Sequence, residues 1–171
     1  MIEVRRVHPD EYVEAAEVTA SAWQPLGSPH DPKWLTFRAR IADVAGRDAV
    51  ATVFVATEGG HILGSVTLEV GDRVPDEDNP APLAPDEAHV RLLAVKPAAR
   101  RRGVGARLMS HCASVARQSG KARLTLNTSE GNVEAQRFYE AIGFIRLADV
   151  LRDDGTTLRS YGLGLLPVAD R

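Results

Sequence analysis

AVKPAARRRGVGARLMSHCASVA, residues 94–116, places three consecutive arginines directly before a Gly-x-Gly turn. The apolar run in front of it ends at Val95 and is typical of a strand, and a helix is predicted to begin near Gly103 or Val104. A strand, a turn and a helix in this order point the free N–H groups of the first helical turn away from the C-terminal edge of the strand. Such a helix N-terminus favours an anionic ligand.

The glycines and arginines of this loop favour a phosphate as that ligand. A Cβ at Gly103 or Gly105 would keep a phosphate away from the backbone amides, and glycine also permits a positive φ. Arg100, Arg101 and Arg102 supply charge-assisted donors suited to phosphate oxygens. We therefore predict a pyrophosphate site, although a simple turn beside a solvated arginine run is an alternative interpretation of the same residues.

Two common nucleotide-binding motifs do not fit the loop. A P-loop requires a lysine and a hydroxyl residue after its second glycine, and neither follows Gly105. A dinucleotide-binding loop requires Gly-x-Gly-x-x-Gly, and position 108 is leucine. The pattern that remains is Arg-x-x-Gly-x-Gly from Arg100 to Gly105.

The composition predicts one soluble cytoplasmic domain over residues 1–171. The apolar fraction of 44% and the charged fraction of 26% are those of an ordinary globular protein. A net charge of −2 and a pI of about 6.2 give no general basis for binding nucleic acid or an anionic membrane. Cys112 is the only cysteine, which excludes an intramolecular disulfide. No stretch reads as a signal peptide or as a membrane span.

The periodicity of the chain predicts an α/β protein in which a strand meander is followed by alternating strands and helices. The first helix is predicted to begin at Pro9 and Asp10, and its Val13, Ala16, Ala20 and Trp23 recur at helical spacing. Strands are predicted at 2–7, 50–57, 61–70, 89–95, 122–128, 144–152 and 157–166. A second helix is predicted at 31–46, and further helices at 104–119 and 133–142. Between these elements we predict a linker at 24–30, an exposed loop at 71–87 and turns at Gly59-Gly60 and Asp154-Gly155.

A second motif, NTSEGNVEAQRFYEAIGF at residues 127–144, narrows the interpretation of the arginine-glycine loop. Together the two resemble the GNAT family of N-acetyltransferases, which hold acetyl-coenzyme A at such a loop. The resemblance covers about 88–144, and the first sixty residues match only as a generic pair of helices. The matching positions of the second motif are Asn132, Ala135, Phe138, Tyr139, Gly143 and Phe144.

The resemblance implies a GNAT fold and acetyl-CoA as the cofactor. It implies a mixed, mostly antiparallel sheet that splays between its two middle strands, with about four flanking helices. The pantetheine arm would enter this gap and pair with a free strand edge, as extended amides do. The implied cofactor-binding residues are Leu93, Ala94, Val95, Arg100, Arg101, Arg102, Gly103, Val104, Gly105, Ala106, Asn132, Ala135 and Tyr139.

The resemblance also implies catalytic roles. Tyr139 would face the sulfur and, because its ordinary pKa of about 10 exceeds that of a thiol, would act mainly as a hydrogen-bond donor to the forming thiolate. A backbone N–H near Leu92 or Leu93 would stabilise the oxyanion. His89 stands where many relatives carry a glutamate, so the general base is His89, the neighbouring Glu87 or an ordered water.

The acceptor is predicted to be a small-molecule amine or a peptide amine. The candidate residues that line the acceptor site are Trp23, His30, Trp34 and Tyr161. The resemblance also implies a possible homodimer, because members of the family often dimerise. No histidine spacing indicates a metal site. The predicted reaction is direct acetyl transfer to a primary amine in a ternary complex. One alternative is a non-catalytic acyl-CoA-binding module, which would not need Tyr139, and another is a nucleic-acid patch at the arginines.

Overall fold

The computed structural model describes residues 1–24, 28–71, 73 and 81–165, and within them it confirms the predicted α/β class. The sheet has eight strands in the order β1-β2-β3-β4-β5-β8-β6, with β7 also paired to β8. The strands are β1 (Glu3–Arg6), β2 (Thr52–Glu58), β3 (His61–Glu69), β4 (Glu87–Val95), β5 (Arg123–Ser129), β6 (Ile145–Arg146), β7 (Val150–Leu151) and β8 (Thr157–Gly164). The helices are α1 (Tyr12–Trp23), α2 (Pro32–Ala42), α3 (Val44–Val50), α4 (Val104–Gln118) and α5 (Val133–Ala141).

The first of two compact units comprises Met1–Leu68 and Leu92–His111. Here β1, β2 and β3 form the predicted antiparallel meander, and the Gly59-Gly60 turn has positive φ at both glycines. Apolar side chains of α1, α3, β2 and β3 pack together with Val7, which follows β1, and β2 contributes the alternate residues Val53 and Val55. The members of this cluster are Val7, Ala15, Val18, Val44, Val53, Val55 and Ile62.

The buried face of α1 is not simply the set of apolar residues at helical spacing. Val13 is 73% exposed, whereas Ala15, Val18 and Thr19 are buried. A hydroxyl can lie on the buried face because it is satisfied there: Thr19 Oγ1 donates to the Ala15 carbonyl at 2.8 Å and lies 2.9 Å from Ser65 Oγ.

The predicted second helix is in fact two helices. Asp43 leaves the helical conformation at φ −77° and ψ 73°, and its side chain accepts a hydrogen bond from the Gly46 N–H at 2.9 Å. Asp43 therefore caps a new helix, α3, and Gly46 lies inside that helix rather than at the end of the preceding one.

The second compact unit comprises Glu69–Arg91 and Cys112–Arg171. The β4–β5 ladder is parallel and runs from Glu87 with Arg123 to Val90 with Leu126, and β5 then pairs with β8 in antiparallel register along its whole length. The predicted strand at 144–152 is split into β6 and β7, and the register against β8 shifts by one residue between them: Arg146 pairs with Tyr161, whereas Val150 pairs with Leu158.

Two elements, β4 and α4, run through both units. The C-terminal end of β4 belongs to the first unit, where the Lys96 N–H donates to the Leu63 carbonyl at 2.8 Å. Its N-terminal end forms the ladder of the second unit. Three predicted segments lie wholly or partly outside the described residues: the linker at 25–27, the loop at 72 and 74–80, and Leu166 at the end of the last predicted strand.

Candidate active site

The arginine-glycine loop connects β4 to α4, as predicted. A single 3₁₀ turn, Pro97–Ala99, leads into it, and α4 begins at Val104. Gly103 has a φ of 77°, and nothing lies within 4 Å of the position that a Cβ would occupy there. Arg101 also has a positive φ, 60°, which is uncommon for a residue with a side chain. The loop is therefore open in front of the helix N-terminus and held in a conformation that glycine favours.

The three arginines of the loop are exposed but not equivalent. Arg102 Nη2 donates to Glu58 Oε2 at 2.5 Å, and this pair lowers the pKa of Glu58. Glu58 ends β2, so Arg102 ties the loop to the β2–β3 hairpin. Arg100 and Arg101 make no described side-chain hydrogen bond or salt bridge, which makes them the more available cations for a phosphate.

The C-terminal half of β4 carries the predicted pantetheine-binding residues. Leu92 has a φ of 53°, so the strand is irregular at the position where an oxyanion donor is predicted. Leu93 and Val95 are half-buried, and Ala94 is buried. Gly64 of β3 passes so close that a Cβ there would lie 2.7 Å from the Ala94 carbonyl oxygen. That contact fixes the backbone position of β4 next to the loop.

His89 and Glu87 meet at a threonine of the neighbouring strand. His89 is 4% exposed, and its Nδ1 lies 2.8 Å from Thr125 Oγ1. The same hydroxyl donates to Glu87 Oε1 at 2.5 Å, and Glu87 Oε2 forms a salt bridge of 3.6 Å with Arg123. Burial lowers the pKa of His89 well below its ordinary value, and the charges of Arg73 and Arg91 lower it further. His89 is therefore a neutral imidazole at neutral pH.

Tyr139 lies on α5 with its ring among aromatic neighbours. The ring centroids of Phe138, Phe144 and Tyr161 are 5.4, 6.0 and 6.1 Å away. Burial raises the pKa of Tyr139, which keeps the phenol protonated. Asn132 caps the same helix by accepting a hydrogen bond from the Ala135 N–H at 3.2 Å. The structure thus gives Asn132 and Ala135 a capping contact, and their predicted cofactor role remains a prediction.

The four predicted acceptor residues lie in different environments. Trp23 and Trp34 both pack against Phe37, at centroid distances of 5.6 and 5.7 Å, and His30 is exposed. Trp34 is buried, and its Nε1 is without a hydrogen-bond partner in the described part of the chain. Tyr161 has no exposed surface, and its hydroxyl donates to Glu140 at 3.0 Å, so it offers no free surface to an acceptor.

Cys112 is fully buried on α4, and burial raises the pKa of its thiol to about 12. Over the described ranges, no three His, Cys, Asp or Glu residues are grouped so that they could hold a metal ion. Within the same ranges, every helix is too short or too polar to cross a bilayer.

Comparison with known proteins identifies the family. A sequence model of the acetyltransferase (GNAT) family matches residues 13–144. The chain belongs to this family. The match extends well beyond the two motifs that carry the resemblance in the sequence, and it includes α1 from its second residue onward and the β2–β3 hairpin.

Solved GNAT structures share the fold at low sequence identity. The ribosomal-protein-S18-alanine N-acetyltransferase from Escherichia coli is 20% identical, with a TM-score of 0.67, and the alignment covers 100% of this chain and 97% of that one. A GNAT acetyltransferase from Staphylococcus aureus Mu50 is 15% identical, with a TM-score of 0.71 over 97% and 100% of the two chains. The structure of yncA from Salmonella typhimurium with its cofactor acetyl-CoA is 20% identical, with a TM-score of 0.66 over 99% and 96%.

Two residues that contact candidate site residues were not predicted from the sequence. Thr125 contacts both candidate bases, and Glu58 pairs with the loop arginine Arg102. A polar residue inside the apolar run of β5 is a weak signal for Thr125, and only the register of β4 against β5 places it beside His89. Glu58 carries no sequence signal, because it lies 44 residues from its partner.

Proposed function

We propose that this GNAT protein is an acetyl-CoA-dependent N-acetyltransferase that moves the acetyl group directly to a primary amine in a ternary complex. The observation that carries the proposal is the open loop before α4, with exposed Arg100 and Arg101 and a glycine at positive φ. The acceptor is a small-molecule amine or a peptide amine. The structurally similar Escherichia coli protein is a ribosomal-protein-S18-alanine N-acetyltransferase, which supports an amine acceptor.

The loop fits the pyrophosphate of acetyl-CoA. The space in front of Gly103 is free, and the first N–H groups of α4 have no acceptor within their own helix. The dipole of a 15-residue helix favours negative charge at this end. In this proposal the residues that hold acetyl-CoA are Leu93, Ala94, Val95, Arg100, Arg101, Arg102, Gly103, Val104, Gly105, Ala106, Asn132, Ala135 and Tyr139.

We assign the role of general base to His89 rather than to Glu87. Acetyl-CoA supplies an activated acetyl thioester, and the amine must lose its proton to attack it. Both Glu87 oxygens are engaged, one by the Thr125 hydroxyl and one by Arg123. His89 is neutral and has a second ring nitrogen beyond the one that contacts Thr125. A neutral imidazole has a lone pair that accepts the amine proton directly or through water, but burial and the charges of Arg73 and Arg91 make His89 a weak base, so the proton must pass on to solvent.

Tyr139 is proposed to donate a hydrogen bond to the leaving sulfur. Its raised pKa argues against full transfer of the phenolic proton, because the thiolate is the weaker base. A fixed donor still stabilises developing negative charge without giving up its proton.

For the acceptor we propose contact with the aromatic group formed by Trp23, Trp34 and Phe37. Trp23 is only half-buried, so this group has surface that an acceptor can contact. The exposed His30 lies just before α2 and would face the same acceptor.

Isothermal titration of the protein with acetyl-CoA tests the loop. We expect micromolar binding that an Arg100→Ala/Gly103→Asp double variant loses, because the aspartate places a negative charge and a Cβ where the phosphate binds. Arg38→Ala, which removes an exposed arginine of α2, is the matched control and should bind normally. Absence of binding by the intact protein would contradict the proposal.

A panel of amines then tests catalysis. We expect acetyl transfer to at least one class of primary amine, followed by release of free coenzyme A. Binding of acetyl-CoA without hydrolysis or transfer across the panel would favour the non-catalytic binding module. Binding of DNA that weakens steeply with salt would instead favour the nucleic-acid interpretation of the arginines.

A further inference from the structure

The hydroxyl of Thr125 has one proton and three neighbours that compete for it. Oγ1 lies 2.5 Å from Glu87 Oε1, 3.3 Å from the Ala88 carbonyl oxygen and 2.8 Å from His89 Nδ1. All of these atoms lie on β4 or β5 in the parallel ladder, where His89 and Thr125 are directly paired. The backbone register therefore holds the hydroxyl between the two candidate bases.

The carboxylate determines where that proton goes. An ionised carboxylate only accepts hydrogen bonds, so a contact of 2.5 Å with a hydroxyl requires the hydroxyl proton to lie between the two oxygens. The salt bridge from Arg123 to Oε2 pairs this carboxylate with a positive charge. If the hydroxyl donated to His89 instead, lone pairs of Thr125 and Glu87 would face each other at 2.5 Å.

The same assignment of donors and acceptors determines which nitrogen of His89 carries the proton. Once the hydroxyl proton is committed to Glu87, Oγ1 can only accept from the imidazole, and Nδ1 must carry the hydrogen. A neutral imidazole has one N–H, so Nε2 keeps its lone pair.

We propose that Thr125 is a positioning residue that fixes His89 as the Nδ1–H tautomer and so makes Nε2 the basic nitrogen of the site. Glu87 orients the threonine and is not itself the base. The catalytic part of this inference rests on the proposed acetyltransferase function, whereas the tautomer follows from the hydrogen bonds alone. Without the two hydrogen bonds that link Glu87, Thr125 and His89, the proton of His89 would distribute between its two nitrogens.

Long-range ¹H–¹⁵N spectra of the imidazole side chains test the tautomer directly, with His89→Gln used to assign the signal. In the intact protein we expect Nδ1 of His89 to show the shift of a protonated nitrogen and Nε2 that of an unprotonated one. Thr125→Val keeps the shape and removes the hydroxyl, so it should abolish this preference. Thr125→Ser keeps the hydroxyl and should retain it.

An Nε2–H tautomer in the intact protein would overturn the proposal whether or not any variant folds. An unchanged tautomer in a folded Thr125→Val protein would overturn it as well. The spectra need neither cofactor nor turnover, so the two proposals can fail separately. If His89 shows the expected tautomer but the protein acetylates no amine, the proposed function is wrong and the positioning role of Thr125 still holds.

Kinetics test the catalytic consequence once an acceptor is known. Thr125→Val should lower kcat by about tenfold to a hundredfold, with the KM for acetyl-CoA unchanged, as is typical when the partner that orients a functional histidine is lost. Thr125→Ser should recover most of the rate. Equal rates for the valine and intact proteins would contradict the inference.

Discussion

Tyr139 is the residue whose substitution separates catalysis from binding. Tyr139→Phe keeps the ring among Phe138, Phe144 and Tyr161 and removes only the hydroxyl. We expect kcat to fall by about 10²-fold, the loss typical of one missing donor to developing charge. The dissociation constant for acetyl-CoA, measured by titration, should stay within a factor of two. Unchanged turnover would assign Tyr139 to packing.

His89 should make the stability of the fold depend on pH. Its pKa is lowered in the folded state, so below about 6.5 the unfolded chain binds a proton that the folded chain does not. Stability from this residue is therefore fully present above that pH and is lost as the pH falls, with a slope of at most about 1.4 kcal/mol per pH unit.

Urea unfolding at pH 7.5 and pH 5.5 measures this contribution. The free energy of unfolding should change less between the two pH values in His89→Gln than in the intact protein. His30→Gln, at an exposed histidine, is the control and should behave like the intact protein. The same pH dependence in all three proteins would show that His89 titrates normally.

Among the elements of the first unit, β1, α1, α3 and β2 are joined by one buried carboxylate. Asp48 accepts hydrogen bonds from the Val53 N–H at 3.0 Å, from Tyr12 at 3.0 Å and from Arg6 at 3.2 Å. Burial acts to raise the pKa of Asp48, but these three donors outweigh it, and the pKa is lowered.

Asp48→Asn should destabilise the protein by about 2–3 kcal/mol, because an amide N–H₂ would replace one acceptor oxygen among three donors. Thermal or urea unfolding measures the loss. Asp10→Asn changes an exposed aspartate and should cost far less. A loss below 0.5 kcal/mol, of the order of an exposed substitution, would mean that the network adapts to the amide.

Most elements were predictable from the sequence because their signals are local. The Gly59-Gly60 turn, the extents of α4 and α5 and the glycines at 120 and 143 follow from periodicity and turn chemistry, and both of these glycines have positive φ. The break at Asp43 was missed because apolar spacing continues across it. Asp43 followed by a helix-compatible segment is a signal for the start of a new helix, but the continuous apolar periodicity favoured a single helix.

The candidate site divides in the same way. The phosphate loop is contiguous in sequence and was predicted from it. The hydrogen bond between Thr125 and His89 instead joins two strands, through residues that are 36 positions apart in the sequence. No local pattern states which residue of β5 faces His89. The buried environment of Tyr161 was also hidden, because an aromatic residue on a strand can line a pocket or fill a core.

At the scale of the whole molecule, the shared elements predict cooperative unfolding. Both tryptophans, Trp23 and Trp34, belong to the first unit, so their fluorescence reports on it alone, while far-UV circular dichroism reports on the entire chain. Because β4 and α4 are continuous through both units, we expect the two urea transitions to coincide. A fluorescence transition at a different midpoint would show that the units unfold separately and would contradict the prediction of a single domain.

The fully buried Cys112 has a practical consequence for enzymology. A protonated thiol without exposed surface reacts too slowly with aromatic disulfide reagents to give a background. In a continuous colorimetric assay of the proposed acetyl transfer, the absorbance of the native protein mixture would therefore count only the coenzyme A that the reaction releases. In denaturant the same reagent would titrate one sulfhydryl per chain, so a single dye would serve as a turnover counter and as a gauge of the unfolded fraction.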